Sequence, residues 1–241
     1  MKKYLIFLSA IVLMTFSSCK KWAGDPVTHE FSIDGTYTEL EVHDAFDVIV
    51  SDTVSKAIVT VGDKILSKVR VEKEGNKLSI YLKGWTASYG SDMKVILPYN
   101  ADLTSVAISG ASDFYSPFTL RGQNVVVKCS GSSHFIGSVL ADELKLKLSG
   151  SSDATIEGTV TTVNMSISGS SDLKEKIVGS RYSLVCDQCE CSISGSSEAY
   201  IHCDSRIKGS VSGSSELYYT GNASTRDCST SGSSSITHDV L

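Results

Sequence analysis

Acidic residues recur at one fixed position of this sequence, directly after a serine-rich tetrapeptide. In chain order that position holds Asp113, His134, Asp153, Asp172, Glu198, Glu216 and Ser235. Carboxylates stacked in register would repel one another, and a bound cation would relieve the repulsion. Asp153 and Asp172 are therefore a candidate Ca²⁺ site. The alternative, which we favour, is that each Asp caps its own turn, because Ca²⁺ takes roughly six to eight oxygen ligands and the pattern offers one carboxylate per copy.

Seven cysteines form the second set of residues that could do chemistry. Cys186, Cys189 and Cys191 cluster, and His202 and Cys203 follow. Three states are open, namely buried free thiols, one disulfide such as Cys186 with Cys203, or a metal site. The spacing matches none of the usual paired zinc arrangements, and export to an oxidising compartment favours a disulfide over a metal. We expect no cofactor.

Aromatic residues are the candidate contacts for a ligand. They are Trp85, Tyr89, Tyr200, Tyr218 and Tyr219. Rings with an apolar face and a polar edge suit sugar binding when they are exposed along a groove. The alternative is that these rings cover the ends and corners of the core, with the last two in a C-terminal cap.

An enzyme is the rival class. A carbohydrate-active enzyme of the polysaccharide lyase type would need clustered acidic residues and a basic residue on one strand face. Lysines are expected on the outer faces, at Lys128, Lys145, Lys147 and Lys208, but the pattern brings no arginine or acidic cluster to them. No serine has a patterned His and Asp partner, and the sequence contains no nucleophile elbow or phosphate loop. We predict a protein without catalytic activity.

These residues must be positioned by a repeated element. The tetrapeptide Ser-Gly-Ser-Ser, or a near copy, begins at Ser109, Ser130, Ser149, Ser168, Ser194, Ser212 and Ser231. Successive starts are 21, 19, 19, 26, 18 and 19 residues apart, which is typical of a solenoid. Glycine allows the backbone angle of a tight corner, and the serines can bond to backbone groups across it.

Apolar residues alternate with polar ones before each tetrapeptide. Val125, Val127 and Cys129 precede one copy, and Leu144, Leu146 and Leu148 precede the next. Period-2 alternation predicts strands with one inward face. About 19 residues at roughly 3.3 Å each span a perimeter near 60 Å, which suits two or three short strands per coil. The sequence therefore predicts an all-β fold, a single-stranded β-helix with coils of about 19 residues over 109–241.

The region 28–108 alternates in the same way but lacks the tetrapeptide. Turn signals such as Asp34-Gly35 and Gly75-Asn76 separate its short apolar runs. We interpret it as irregular first coils or a small sandwich that continues the core. It would cap the first rung, because an open apolar end invites association.

The first residues carry an export signal. Lys2 and Lys3 precede an apolar stretch over 4–16, and Ser17, Ser18 and Cys19 follow. A charged start, a short apolar core and small residues before a cysteine are typical of a lipoprotein leader. We predict a signal peptide over 1–18, lipidation of Cys19 with fatty acyl chains such as palmitate, and a tether over 19–27. The alternative is an ordinary secreted protein with an incidental Cys19.

Net charge argues against one class of partner. The full chain has 22 basic and 27 acidic residues, a net charge of −5. Loss of Lys2 and Lys3 with the leader leaves 20 basic residues, and 20 − 27 gives −7. Such a surface disfavours nucleic acid.

Four stretches carry a resemblance to a known family. They are FDVIV at 46–50, VRVEKEGNKLSI at 69–80, VILP at 95–98, and SGASD at 109–113 with the Ser-Gly-Ser-Ser-Asp copies after it. With the leader, they make nearly the whole mature chain resemble the head GIN domain family of bacterial envelope adhesins. The resemblance implies a right-handed β-helix of undefined ligand.

We therefore predict a lipid-anchored envelope protein, placed at the outer membrane, that presents a binding surface. Its expected partners are the membrane, through the N-terminal lipid, and a glycan or an envelope protein. A structural or assembly role in the envelope and a carbohydrate-active enzyme are the alternatives. The sequence leaves open the oligomeric state and whether the protein faces the periplasm or the cell surface.

Overall fold

Strands dominate the structure, and the prediction of an all-β fold is confirmed. The computed structural model describes residues 23–84, 93–174 and 184–239 of the chain. The 17 strands of the described residues are β1 (Pro26–Phe31), β2 (Glu39–Val42), β3 (Phe46–Ser51), β4 (Ala57–Gly62), β5 (Val69–Glu74), β6 (Lys77–Leu82), β7 (Met93–Pro98), β8 (Ser105–Ile108), β9 (Asp113–Cys129), β10 (His134–Leu148), β11 (Asp153–Ile167), β12 (Asp172–Lys174), β13 (Leu184–Ile193), β14 (Glu198–Gly213), β15 (Glu216–Thr220), β16 (Ser224–Gly232) and β17 (Ser235–His238).

A short helix, α1 (Asp63–Leu66), follows β4 and buries Ile65. The sequence did not predict it, because a single turn is too short to show a helical period. No helix in the described part of the chain is long and apolar enough to cross a membrane.

The repeats pair in parallel, each with the next, and equivalent positions are partners apart from local register shifts between β9 and β10, β13 and β14, and β14 and β16. Phe135 of β10 is the partner of Phe114 in β9 and of Ala154 in β11. Further along the same strands, Leu146 is the partner of Val127 and Met165. Equivalent positions of the sequence repeat therefore stack directly on one another.

The predicted inward positions form the core. Val127, Leu146 and Met165 are 0%, 2% and 3% exposed. Phe114 and Phe135 stack with their ring centroids 5.3 Å apart. Cys228, which is related to buried Cys191 through the register partner Gly209, is only partly buried. Its strand, β16, pairs with β14 and with no other described strand, so only one side is covered.

Glycine and serine build the tetrapeptide corner as expected. The tetrapeptide glycines have positive φ, for example +86° at Gly169. Each corner is bonded to the previous one, as where Ser170 N donates to Gly150 O at 2.8 Å. The fourth residue of each copy from Ser112 to Ser215 is fully buried. The hydroxyls of Ser133, Ser152 and Ser197 bond within their corners, as where Ser152 Oγ donates to Ser149 O at 2.8 Å.

The N-terminal strands combine antiparallel and parallel pairing. β1 pairs with β4, β4 with β7, and β5 with β6, all antiparallel. β2 and β3 instead run parallel to strands on both sides, and β3 pairs with β9 of the first repeat. One cluster of buried apolar side chains runs through both regions, as the sequence predicted.

Candidate functional site

A second corner interrupts each long strand of the repeats. In β10, Asp142 and Glu143 are consecutive outward residues between Ala141 and Leu144, which pack on the core. The matching outward pairs are Gln123–Asn124 in β9, Thr161–Thr162 in β11 and Asp187–Gln188 in β13. In β14 the register shifts, so that Arg206 follows an extra residue. Two successive outward residues break the alternation of a strand, so the chain bends here.

The parallel register brings these polar residues into one row. Glu143 is the partner of Asn124 and of Thr162. Thr162 is in turn the partner of Gln188, and Gln188 of Arg206. Four steps of roughly 4.8 Å give the row a length of about 19 Å. We call these five residues the polar row.

An open groove of about 870 Å³ lies along the polar row. A second row lines its side, made of Asn164, Glu190 and Lys208, which are also register partners. Amide, hydroxyl, carboxylate and ammonium groups from five strands thus face one groove, and no aromatic ring is among its lining residues.

Ion pairs balance the charges in and beside the groove. Glu143 Oε1 accepts a hydrogen bond from Asn164 Nδ2 at 2.6 Å and lies 3.4 Å from Lys145 Nζ. Lys208 Nζ lies 2.9 Å from Glu190 Oε2. Exposed pairs of this kind contribute little to stability. They leave donors and acceptors facing solvent, where a ligand rich in hydroxyl groups can bond to them.

The acidic position after the tetrapeptide forms a continuous row on another part of the surface. His134 stands between its register partners Asp113 and Asp153. Its Nδ1 lies 2.8 Å from Asp113 Oδ1, and its Nε2 lies 3.5 Å from Asp153 Oδ2. Lys174 Nζ also bonds to Asp153 Oδ2. The charge of Lys174 and the hydrogen bond between His134 and Asp113 are therefore placed to relieve the carboxylate repulsion.

The candidate calcium pair lies in this row. Asp153 and Asp172 are register partners, as the repeat predicted. Asp172 Oδ1 accepts a hydrogen bond from the backbone N–H of Glu198 at 3.0 Å, so it bonds to the next corner. Across residues 23–84, 93–174 and 184–239, no group of three or more potential ligands is arranged to hold a metal ion.

The aromatic candidates occupy different environments. Tyr200 and Tyr218 are partly buried register partners whose rings stack with centroids 4.9 Å apart. The hydrogen bond from Tyr218 Oη to Glu216 raises the pKa of Tyr218 to about 12. Tyr219 is 7% exposed and stacks on His238, which fits a role in covering the core. Trp85 and Tyr89 lie outside the described residues, as does Cys19.

The sequence interpretation missed an apolar stripe on the outer surface. Ile49, Tyr115 and Ile136 are register partners on β3, β9 and β10 and are 44%, 46% and 47% exposed. A cleft of about 310 Å³ lies beside Tyr115 and Ile136. We call these three residues the outer stripe. Its signal in the sequence is an apolar residue directly after the inward one that follows the tetrapeptide.

The polar row was also missed, although its signal was present. The pairs that begin at Gln123, Asp142 and Thr161 are 19 residues apart, the same period as the tetrapeptide. The pattern was hidden because the residue types differ from copy to copy. Different polar residue types can occupy this periodic position because the side chains lie on the surface, where packing in the core does not restrict them.

The cysteine candidates are brought together. Cys186 and Cys203 are register partners on β13 and β14. All six cysteines of the described residues are free thiols in the structure, and five of them are buried. The disulfide between Cys186 and Cys203 stays a prediction.

Comparisons with known proteins agree with this fold. The family model described as "Putative auto-transporter adhesin, head GIN domain" matches residues 36–223. Among curated proteins, none matches this chain.

Several solved structures are similar in fold. A putative adhesin from Bacteroides fragilis has a TM-score of 0.70 at 16% identity, covering 89% of this chain and 96% of that chain. A putative adhesin from Parabacteroides distasonis has a TM-score of 0.66 at 22% identity, covering 90% and 98%. A structure from the same species described as a putative lipid binding protein has a TM-score of 0.61 at 22% identity, also covering 90% and 98%.

Proposed function

Because this chain belongs to the auto-transporter adhesin family with a head GIN domain, we propose that it is a non-enzymatic adhesin of the bacterial cell envelope that binds a glycan. The observation that carries the proposal is the groove of about 870 Å³ along the polar row. A glycan presents many hydroxyl groups, and the groove offers donors and acceptors at a regular spacing over about 19 Å.

The side chains that line the groove suit neutral sugars better than highly charged ones. Lys208 is paired with Glu190, and Arg206 NH2 lies 2.7 Å from Asp227 Oδ2. A polyanion would have to break these pairs, whereas hydroxyl groups can bond to the exposed atoms of the pairs as they stand. Binding would rest on many weak hydrogen bonds, each contributing about 1 kcal/mol.

We also propose the finer architecture and the location. The parallel pairing from β9 to β17 supports a single-stranded β-helix over 109–241, with 28–108 as its first coils and cap. Its right-handedness is proposed from the family resemblance alone. The leader over 1–18, lipidated Cys19 and the tether over 19–27 would hold the protein at the outer membrane. Labelled palmitate should enter the wild-type protein and fail to enter Cys19→Ser; equal labelling of both would refute the anchor.

The test of the glycan site is a binding screen of the full-length protein in detergent against glycans and envelope polysaccharides. Two variants change the groove in opposite ways. Glu143→Ala with Gln188→Ala removes hydrogen-bonding groups, and Thr161→Trp fills space. Loss of two bonds of about 1 kcal/mol each should weaken binding by about 30-fold.

The matched control is Lys147→Ala. Lys147 is exposed on the same strand as Glu143 but lies outside the groove. It should bind as the wild type does. Saturable binding that all three variants retain would refute the groove as the site. Absence of any binding would favour the structural or assembly role, and release of shorter saccharides would show an enzyme.

A lipid is the second candidate ligand, and the outer stripe favours it. Three neighbouring exposed apolar side chains beside a cleft are unusual for a surface that contacts only water. One structure of similar fold is described as a putative lipid binding protein. Binding of a fluorescent fatty acid that Ile136→Thr abolishes, with the groove variants unaffected, would support this ligand instead of the glycan.

A further inference from the structure

Two thiols on neighbouring strands lie directly opposite one another inside the core. Cys186 of β13 and Cys203 of β14 are register partners and are 1% and 0% exposed. Register partners on neighbouring strands lie roughly 5 Å apart, and the Cα atoms of a disulfide are usually about 4.4–6.8 Å apart. The backbone spacing therefore fits a covalent bond between them.

The bend of the strand fixes the position of one of the two thiols. The Cys203 Sγ lies 3.3 Å from Asp187 O and 3.4 Å from Arg206 O, which holds it near this bend. Directly after Cys203, the register of β13 and β14 shifts because β14 contains one extra residue. The residues of this bend are exposed, whereas both thiols face inward.

The other described cysteines lack such a partner. Cys189 and Cys191 are two residues apart on one strand, a separation of roughly 6.6 Å that lies at the edge of the disulfide range. The register partners of Cys129 are Ile108 and Leu148, and that of Cys228 is Gly209. The geometry therefore selects one pair among the six thiols.

We propose that Cys186 and Cys203 form a structural disulfide between two successive coils of the exported protein. The inference rests on the export included in the proposed function, because an oxidising compartment supplies the oxidant. The oxidant is a disulfide, either a small molecule or a protein.

The reaction is two thiol–disulfide exchanges. The thiolate of one of the two cysteines attacks the external disulfide, forms a mixed disulfide and releases one thiolate. The other cysteine then loses its proton, and its sulfur attacks the Sγ of the first cysteine and displaces the second thiolate. Two electrons pass to the external disulfide, which becomes two thiols once both protons are taken up.

Both thiols are buried in the folded protein, so the exchange takes place before β14 has packed on β13. Either sulfur can therefore make the first attack.

The experiment refolds the full-length protein in a buffer of reduced and oxidised glutathione, so the result does not depend on export. Free thiols are then alkylated and the chain is cleaved without reduction. Cleavage before Asp187 and Asp204 and after Glu190 and Glu198 places each cysteine of this cluster on its own peptide. We expect the peptides of Cys186 and Cys203 to be joined and those of Cys189 and Cys191 to be alkylated.

Thermal unfolding gives the second measurement. The bond would close a segment of 203 − 186 = 17 residues, and reduction should lower the midpoint by about 6–12 °C. The variant Cys186→Ala with Cys203→Ala should not respond to reductant. The matched control, Cys189→Ala with Cys191→Ala, should respond as the wild type does. Separate alkylated peptides of Cys186 and Cys203, or a different joined pair, would overturn the proposal.

Discussion

The substitution Gly169→Ala tests the stacking of the tetrapeptide corners. Gly169 has φ of +86°, in the region that disfavours residues with a side chain. A Cβ added there would lie 2.3 Å from the backbone oxygen of Gly150, in the preceding tetrapeptide corner. That oxygen also accepts the hydrogen bond from Ser170 N at 2.8 Å, so it cannot move away without losing the bond.

The expected cost has two parts. The left-handed conformation costs a residue with a Cβ about 1–2 kcal/mol. Ordinary contacts begin near 3.4 Å, so the two corners must separate by about 1 Å, and overpacking of this kind costs about 1–3 kcal/mol. We expect the free energy of unfolding to fall by about 2–5 kcal/mol.

Gly75→Ala is the matched control. Gly75 lies in the turn between β5 and β6 with φ of +57°, and an added Cβ there meets nothing within 4 Å. Only the conformational cost of about 1–2 kcal/mol should appear. Both variants replace Gly by Ala, so the effect on the unfolded chain is the same. The difference between their free energies of unfolding in urea therefore gives the cost of the contact with Gly150 O. Equal losses of stability would refute the claim that contact between the glycine corners restricts this position.

Three further predictions concern the core and the acidic row. Ser171→Ala should lower the free energy of unfolding by about 1–2 kcal/mol, because the buried hydroxyl accepts a hydrogen bond from Ser152 N at 3.2 Å; exposed Ser170→Ala should leave stability unchanged in the same urea titration. Burial, with a smaller effect from the charge of Asp153, raises the pKa of Cys129 from 9.0 to about 12. The unfolded chain therefore loses this proton first, and stability should fall as pH rises from about 9 to 12, less steeply in Cys129→Val. An equal slope in wild type and variant would contradict this assignment. Calcium and a chelator should leave the thermal midpoint unchanged, because Lys174 and His134 already contact Asp153. A calcium-dependent rise that Asp153→Asn with Asp172→Asn abolishes would instead show a metal site.

The candidate site was only partly predictable. The tetrapeptide corner was read correctly because Gly and Ser are required there in nearly every copy, so the sequence repeats. The outward pairs from Gln123–Asn124 to Asp187–Gln188 have no such constraint, and their residue types vary. Their alignment in one groove depends on the bend of each strand, which no short motif marks.

The alternation of apolar and polar residues and the period of about 19 residues by themselves determined the all-β fold, the inward faces of the strands and the stacking of equivalent positions. Val127, Leu146 and Met165 had to face one core, because a strand alternates and a 19-residue spacing brings equal positions together. Tertiary structure decided which residues outside this pattern became neighbours. It placed Cys186 against Cys203 although their separation of 17 residues differs from the common period, because the register shifts at the bend of β14. It also turned Ile49, Tyr115 and Ile136 into one stripe by pairing an N-terminal strand with the first repeat. Such contacts depend on which strands pair, and pairing is decided by the packing of the whole core.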